Sequence, residues 1–394
     1  MVPINTARLH RNVQFIYEKC LAEQELESFG ITEFYSSRSD PWTYNFNGDG
    51  DSKALLNCSA YFGSLNGRES VYKRLILPEY QGGKFNVTRS VNQYLTHWIY
   101  PYKGKFHPQM VRALLNILRI QRGQVVLDPF VGSGTTAIEC MLMGINSVGI
   151  DISPLCILIS RVKTAAWRWA EDIARIVASG PPPPSNADPM IHDFFAMADM
   201  VTESDVSVRN RDRDTWRPKN LSKMLRSVSH MAQAKRELGL SFGSVSLSLG
   251  DCRQLSSVGL GEASIDAVIT SPPYSIALDY VKNDAHALRA LGLKPEEIRE
   301  EFIGVRGKPK NRLSLYNGDM KSVFRELARV LKPGAPAAVV IGDATDGTEI
   351  TTTEDMKSWG EPYGLKFERE LPKIVFGLYS VITDEKILFF RRDK

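Results

Sequence analysis

Short runs of strand length recur along the chain, and each one stops at or just before a glycine, an acid or a proline-bearing turn. Val125-Val126-Leu127, Asn146 to Asp151, Ser244 to Leu249, Ile265 to Ile269 and Ala337 to Ile341 are of strand length, and the apolar content of the last two suits buried parallel strands. Between them the apolar positions repeat at helical spacing. Met110, Leu114, Leu115, Ile117 and Leu118 predict a helix over Gln109 to Ile120, with Pro108 in its first turn. Ala137 to Met143, Pro154 to Thr164 and Tyr316 to Leu331 read the same way. Strands alternating with helices argue for an α/β architecture around a parallel sheet.

Two regions break this rhythm. In the first hundred residues a helix is expected over Asn12 to Phe29, ended by Gly30 and carrying Glu23, Glu25 and Glu27. Pro41 to Gly67 reads as a loop with short strands, and Tyr72-Lys73-Arg74, Lys84 and Arg89 are either phosphate contacts or a solvated basic face. In the second region, residues 165 to 243, a helix over Trp167 to Val177 precedes Ser179-Gly180 and Pro181 to Pro184, a linker or exposed bend. An arginine-rich stretch from Arg209 to Lys219 then leads into a helix from Leu221 to Leu238. Arg211 and Arg213 with Trp216 suit phosphate neutralisation and base stacking, whereas the interleaved aspartates suit a solvated helix pair. Beyond the strand that begins at Ile265, helices are expected over Asp279 to Leu291 and from Lys294 onward. Arg306, Lys308, Lys310 and Arg312 follow in a compact loop without an acid, an arrangement that invites phosphates.

Composition changes little in this picture. The 394 residues, 43% hydrophobic and 24% charged, suit one large domain and an accessory one. With 49 basic and 45 acidic residues the formal charge is +4, which neither demands nor excludes nucleic acid. No eighteen-residue apolar run and no signal pattern occur, so no membrane association and a cytoplasmic location are expected. Five cysteines without a Cys-x-x-Cys pair argue for free thiols and no metal site.

The candidate chemistry sits where strands end. After the strand at Ile265, Thr270-Ser271-Pro272-Pro273-Tyr274 forces the chain rigidly out of the sheet, because neither proline can donate to a ladder. Ser271 and the Pro272 carbonyl can accept the N–H groups of a planar amine-bearing ring on which Tyr274 stacks, although a plain strand-ending turn would look the same. The strand at Val125 runs into Asp128-Pro129-Phe130-Val131-Gly132-Ser133-Gly134-Thr135, a glycine-rich turn opening a helix, where backbone amides can approach a ligand. Asp151, followed by Ile152, ends the next strand at the spacing of an acid that grips ribose hydroxyls. No lysine follows the glycines in the P-loop manner, which argues against a nucleoside triphosphate.

The segments LDPFVGSGTT (127–136), GID (149–151) and TSPPY (270–274), in this order, resemble the S-adenosylmethionine-dependent amino-methyltransferases of DNA, and the Ser-Pro-Pro-Tyr form is similar to their cytosine-N4 branch. The resemblance covers about residues 103–164 and 244–394. It implies a Rossmann-like class I methyltransferase sheet, mostly parallel with an antiparallel edge hairpin from Leu365 to Glu370 and Lys386 to Phe390. It also implies S-adenosylmethionine as cofactor, Lys105, His107 and Pro108 at its methionine end, Asp251 at its adenine amine, DNA as partner and a possible cognate restriction endonuclease. The domain reading is residues 1–100 as an accessory or target-recognition region and 101–394 as the methyltransferase domain, interrupted by 165–243. A full recognition domain is missing from the slots usual in the family, which leaves an RNA substrate open. A tRNA guanosine-N2 methyltransferase and an adenine-N6 DNA methyltransferase are the alternatives.

Overall fold

The computed structural model describes residues 4–36, 38–48, 50–76, 89–180, 182–274, 279–342, 352–374 and 384–394. Lys84, one of the expected phosphate contacts, lies outside them. Among the described residues the strands form two sheets. Strands β1 (Asn5–Leu9), β2 (Phe34–Ser36), β3 (Thr43–Phe46), β4 (Phe62–Leu65) and β5 (Arg68–Glu69) make an antiparallel sheet in the order β2-β3-β1-β4-β5. The larger sheet holds β6 (Val125–Asp128), β7 (Asn146–Asp151), β8 (Val245–Leu249), β9 (Ala267–Thr270), β10 (Pro336–Gly342), β11 (Leu365–Ile374) and β12 (Asp384–Arg392). Its order is β11-β12-β10-β9-β6-β7-β8, with β12 antiparallel to both of its neighbours and the other pairs parallel. A mostly parallel sheet with an antiparallel edge hairpin is the arrangement expected from the sequence.

The period of two that predicted the strands now decides which neighbours each face meets. Val126, Ala267, Ile269, Ala338, Val340, Ile387 and Phe389 face one core, while Leu127, Val268, Ala337, Val339, Ile341, Leu388 and Phe390 face the other. Helix Arg312–Val330 covers the second face. The first is covered by helix Pro108–Ile117 together with the N-terminal sheet and helix Ile16–Ser28, so residues from both ends of the chain share one core. Glu25 is the buried joint between them. Its carboxylate accepts from Ser59 Oγ (2.9 Å), the amides of Ala60 (2.8 Å) and Tyr61 (3.1 Å), and Asn116 Nδ2 (2.6 Å). Burial pushes this carboxyl above the usual range, against those four donors.

The insertion differs from expectation in two places. Residues 166–169 form a short 3-10 turn before helix Ala170–Ser179, and a helix absent from the sequence reading, Pro189–Arg209, starts on the Asp188 cap. The arginine-rich stretch is divided: Arg209 ends that helix, Arg211 lies between the two, and Arg213 to Lys219 open the next helix, Arg213–Glu237, which begins on the Asp212 cap and runs through Pro218. These helices pack with Leu155, Ile159, Ala287 and Phe302 in one apolar cluster. Through it the insertion braces the segment that follows the Pro-Pro turn.

Candidate active site

Crossovers from β6 to β7 and β8 run one way along the sheet, and those from β9 to β10 run the other, so β6 and β9 flank a topological switch. A crevice opens beyond their C-terminal ends, the usual ligand position in such sheets. Here it is a cavity of about 330 Å³.

Its floor is the glycine-rich turn. Gly132 and Gly134 have φ of +48° and +78°, and Gly134 caps helix Thr135–Met143 in the left-handed conformation that a side chain resists. A Cβ at Gly134 would stand 2.8 Å from Ser160 Oγ. Asp151 closes the turn by accepting from the amides of Gly132 and Ser153, both at 2.9 Å. Burial nevertheless pushes its carboxyl up to about 6. Asp128 accepts from Thr136 Oγ1 and Thr270 Oγ1, each at 2.6 Å, and from the Phe130 amide at 3.2 Å. One buried carboxylate thereby ties the glycine-rich turn to the residue preceding Ser271.

Of the expected cofactor contacts, Lys105, His107, Asp128, Pro129, Phe130, Gly132, Ser133, Thr135, Asp151, Ile152 and Asp251 line the cavity. Pro108 and Gly134 stand behind the lining as the first residue of one helix and the cap of another. Lys105 Nζ donates to the carbonyl oxygens of His97 (2.8 Å) and Asn92, and burial pushes its ammonium down to about 7. The segment carrying those carbonyls is pinned by buried Glu139, which bonds His97 Nε2 at 2.8 Å and Arg112 Nη1 at 3.3 Å. Asp251 faces the cavity while holding Arg253, and Arg253 also reaches Glu301 and Asp319. Among the described residues, Thr135 Oγ1 and His107 Nδ1 are buried polar atoms without a protein partner. Both residues are on the cavity wall, as a ligand with polar ends requires.

Ser271, Pro273 and Tyr274 line the same cavity, but Pro272 is buried off it, which leaves Ser271 as the acceptor that faces inward. The Pro273 carbonyl accepts from Tyr316 Oη at 2.9 Å, which fixes the turn from below. Sequence reasoning missed Tyr102, Tyr280, Phe302, Lys373 and Glu385 on the wall. Tyr280 lies between Tyr102 and Phe302, with centroid distances of 6.3 and 6.0 Å and near-parallel rings. No local motif marks these residues, because they converge only when the sheet closes.

The expected nucleic-acid contacts divide. The basic loop lies beside the Tyr274 turn: a Cβ at Gly304 would stand 3.2 Å from the Tyr274 carbonyl oxygen. Lys308 and Lys310 are exposed and Arg312 opens the following helix, whereas Arg306 forms a two-pronged pair with Asp319, both contacts at 2.6 Å. In the insertion Arg211 pairs with Asp205 at 2.8 Å and stacks 3.6 Å over Trp216, and Arg213 pairs with Glu203. A phosphate there would compete with carboxylates already in place.

Residues 65–160 match the DNA methylase family of the N6/N4 type, a stretch that opens well before Lys103, where the resemblance was expected to begin. The chain is 57% identical over 67 residues to the type II methyltransferase M.MjaII of Methanocaldococcus jannaschii, covering 17% of this chain and 12% of that one. It is 44% identical over 64 residues to the type II methyltransferase M.BsoBI of Geobacillus stearothermophilus, 16% of this chain and 12% of that one. A tRNA (guanine(10)-N2)-dimethyltransferase of Methanocaldococcus jannaschii is 42% identical over 53 residues, 14% of this chain and 15% of that protein. The matched stretches thus span only 12 to 15% of these relatives.

Proposed function

We propose that the protein methylates the exocyclic N4 amine of cytosine in DNA, with S-adenosylmethionine as methyl donor, in a cytoplasmic restriction-modification setting. The observation that carries this reading is the meeting of the glycine-rich turn and the Ser271 turn in one cavity, joined through Asp128. The bound cofactor supplies an electrophilic sulfonium methyl. Asp151 accepts the ribose hydroxyls, Asp251 the adenine amine, and Lys105 and His107 meet the amino-acid end.

A cytosine amine is a weak nucleophile because its lone pair is delocalised into the ring, so the protein's work is placement. Ser271 accepts one N–H and Tyr274 stacks on a base turned out of the duplex, which aligns the amine for in-line attack. The methylated amine is acidic and releases its proton without a strong protein base. Lys308, Lys310 and Arg312 hold phosphates beside the turn.

The match to a tRNA guanine-N2 enzyme favours a second reading, RNA as substrate. The serine at 271 argues against it, since an acid is usual there in the tRNA enzymes the motif resembles. The test is nucleoside mass spectrometry after incubation with S-adenosylmethionine and either unmethylated DNA or unmodified tRNA. N4-methylcytosine in the DNA is expected. N6-methyladenine would overturn the base assignment, and methylguanosine in tRNA alone would overturn the DNA assignment.

A further inference from the structure

The cavity wall beyond Tyr274 is built by two charged side chains from the edge hairpin. Lys373 is the last residue but one of β11 and Glu385 the second of β12, and the register sets them directly opposite each other, with Gly342 of β10 opposite Glu385 on its other side. Glu385 lies two residues before Ile387, so the strand's alternation turns it to the face that carries the N-terminal core. There its Oε2 pairs with Lys373 Nζ, and its Oε1 accepts from Tyr274 Oη at 3.0 Å. The side chains are only 13% and 18% exposed. Ser271 lines the same cavity three residues before this tyrosine. Tyr17 and Glu18 of the N-terminal helix are within electrostatic range of the pair, as is His107.

A turn with two prolines fixes the backbone of a tyrosine that clamps a base and not its χ angles, and packing against the core restrains the ring only in part. A phenolic O–H lies in the plane of its ring, so a hydroxyl held by a carboxylate, itself held by an ammonium, fixes the far end of the ring and favours one plane before the base arrives. We propose that Glu385, anchored by Lys373, is a positioning residue that sets the ring plane of Tyr274. This deepens the amine-methylation reading and rests on it for the kinetic consequence, but not for the ring's order.

Two measurements separate the two claims. The first uses protein labelled with 3-fluorotyrosine, where the resonance lost in Tyr274→Phe identifies Tyr274 among the 14 tyrosines. In Glu385→Ala that resonance should shift and collapse toward rapid ring averaging, while Glu385→Gln, which keeps an acceptor oxygen, should retain most of the wild-type signal. An unchanged resonance in Glu385→Ala overturns the proposal whatever the protein methylates. The second is methyl transfer to DNA. Glu385→Ala and Tyr274→Phe should each lower kcat by about 10- to 100-fold with the Kd for S-adenosylmethionine held within about twofold, and the double variant should be no worse than either single one. Losses that multiply would show that Glu385 does not act through Tyr274 and would sink the kinetic claim. A wild-type protein that transfers no methyl group to DNA would overturn the proposed activity, and the fluorine resonance would still decide how Tyr274 is held.

Discussion

Asp151 answers to two opposed influences. The Gly132 and Ser153 amides favour its carboxylate, and burial pushes the carboxyl up to about 6, with burial the stronger. A carboxyl whose folded pKa lies above its unfolded value is stabilising below the unfolded value, and that contribution is lost as pH rises through about 6. The native fold should therefore gain stability on acidification through this group, whereas cofactor binding, which needs the acceptor, should weaken as pH falls below about 6. Titration calorimetry of S-adenosylmethionine should show this pH dependence in the wild type and a flat, weaker profile in Asp151→Asn. Asp151 was legible in the sequence because an acid at a strand end is a local signal. The wider duty of Asp128, a single carboxylate serving Thr136 and Thr270, was not, since its partners are 8 and 142 residues away.

At the scale of elements, the N-terminal helix and helix Pro108–Ile117 meet around Glu25. Its four donors are all buried or nearly so, and replacing the carboxylate leaves them with water-free surroundings and no acceptor. Glu25→Ala should destabilise the protein by about 3 to 5 kcal/mol, read as a lowered urea midpoint with an unchanged m-value. A loss under about 1 kcal/mol would mean that the two elements do not depend on this joint. Periodicity placed the helix that holds Glu25 but treated its acids as a charged run, because nothing within the helix shows which acid meets a neighbour. The helix Pro189–Arg209 escaped for a related reason. Its Asp188 cap and first-position proline directly follow a proline-rich bend, and its apolar residues meet partners from Leu155, Ala287 and Phe302, far along the chain.

For the molecule as a whole, the cations expected to meet nucleic acid are unevenly committed. Arg211, Arg213 and Arg306 are engaged by the protein's own acids, while Lys308 and Lys310 are exposed beside the Tyr274 turn. Replacing both lysines by alanine should weaken DNA binding more than the Arg211→Ala, Arg213→Ala pair and should reduce the slope of log K against log[salt] by about 2, measured by fluorescence anisotropy. Equal slopes would move the phosphate contact elsewhere. The sequence by itself determined the strand and helix alternation, the glycine-rich turn, the acids at strand ends and the rigid Pro-Pro exit, because each depends on residues a few positions apart and on backbone rules that act locally. Only the tertiary structure decided that residues from both ends of the chain share a core, that Pro272 stands off the cavity while Ser271 faces it, which arginines are already paired, and that Lys373 and Glu385 reach Tyr274. Those facts depend on strand register, on how neighbouring elements fold back on each other and on which face of the sheet each one covers, and contacts between elements leave no mark in the local pattern of either partner.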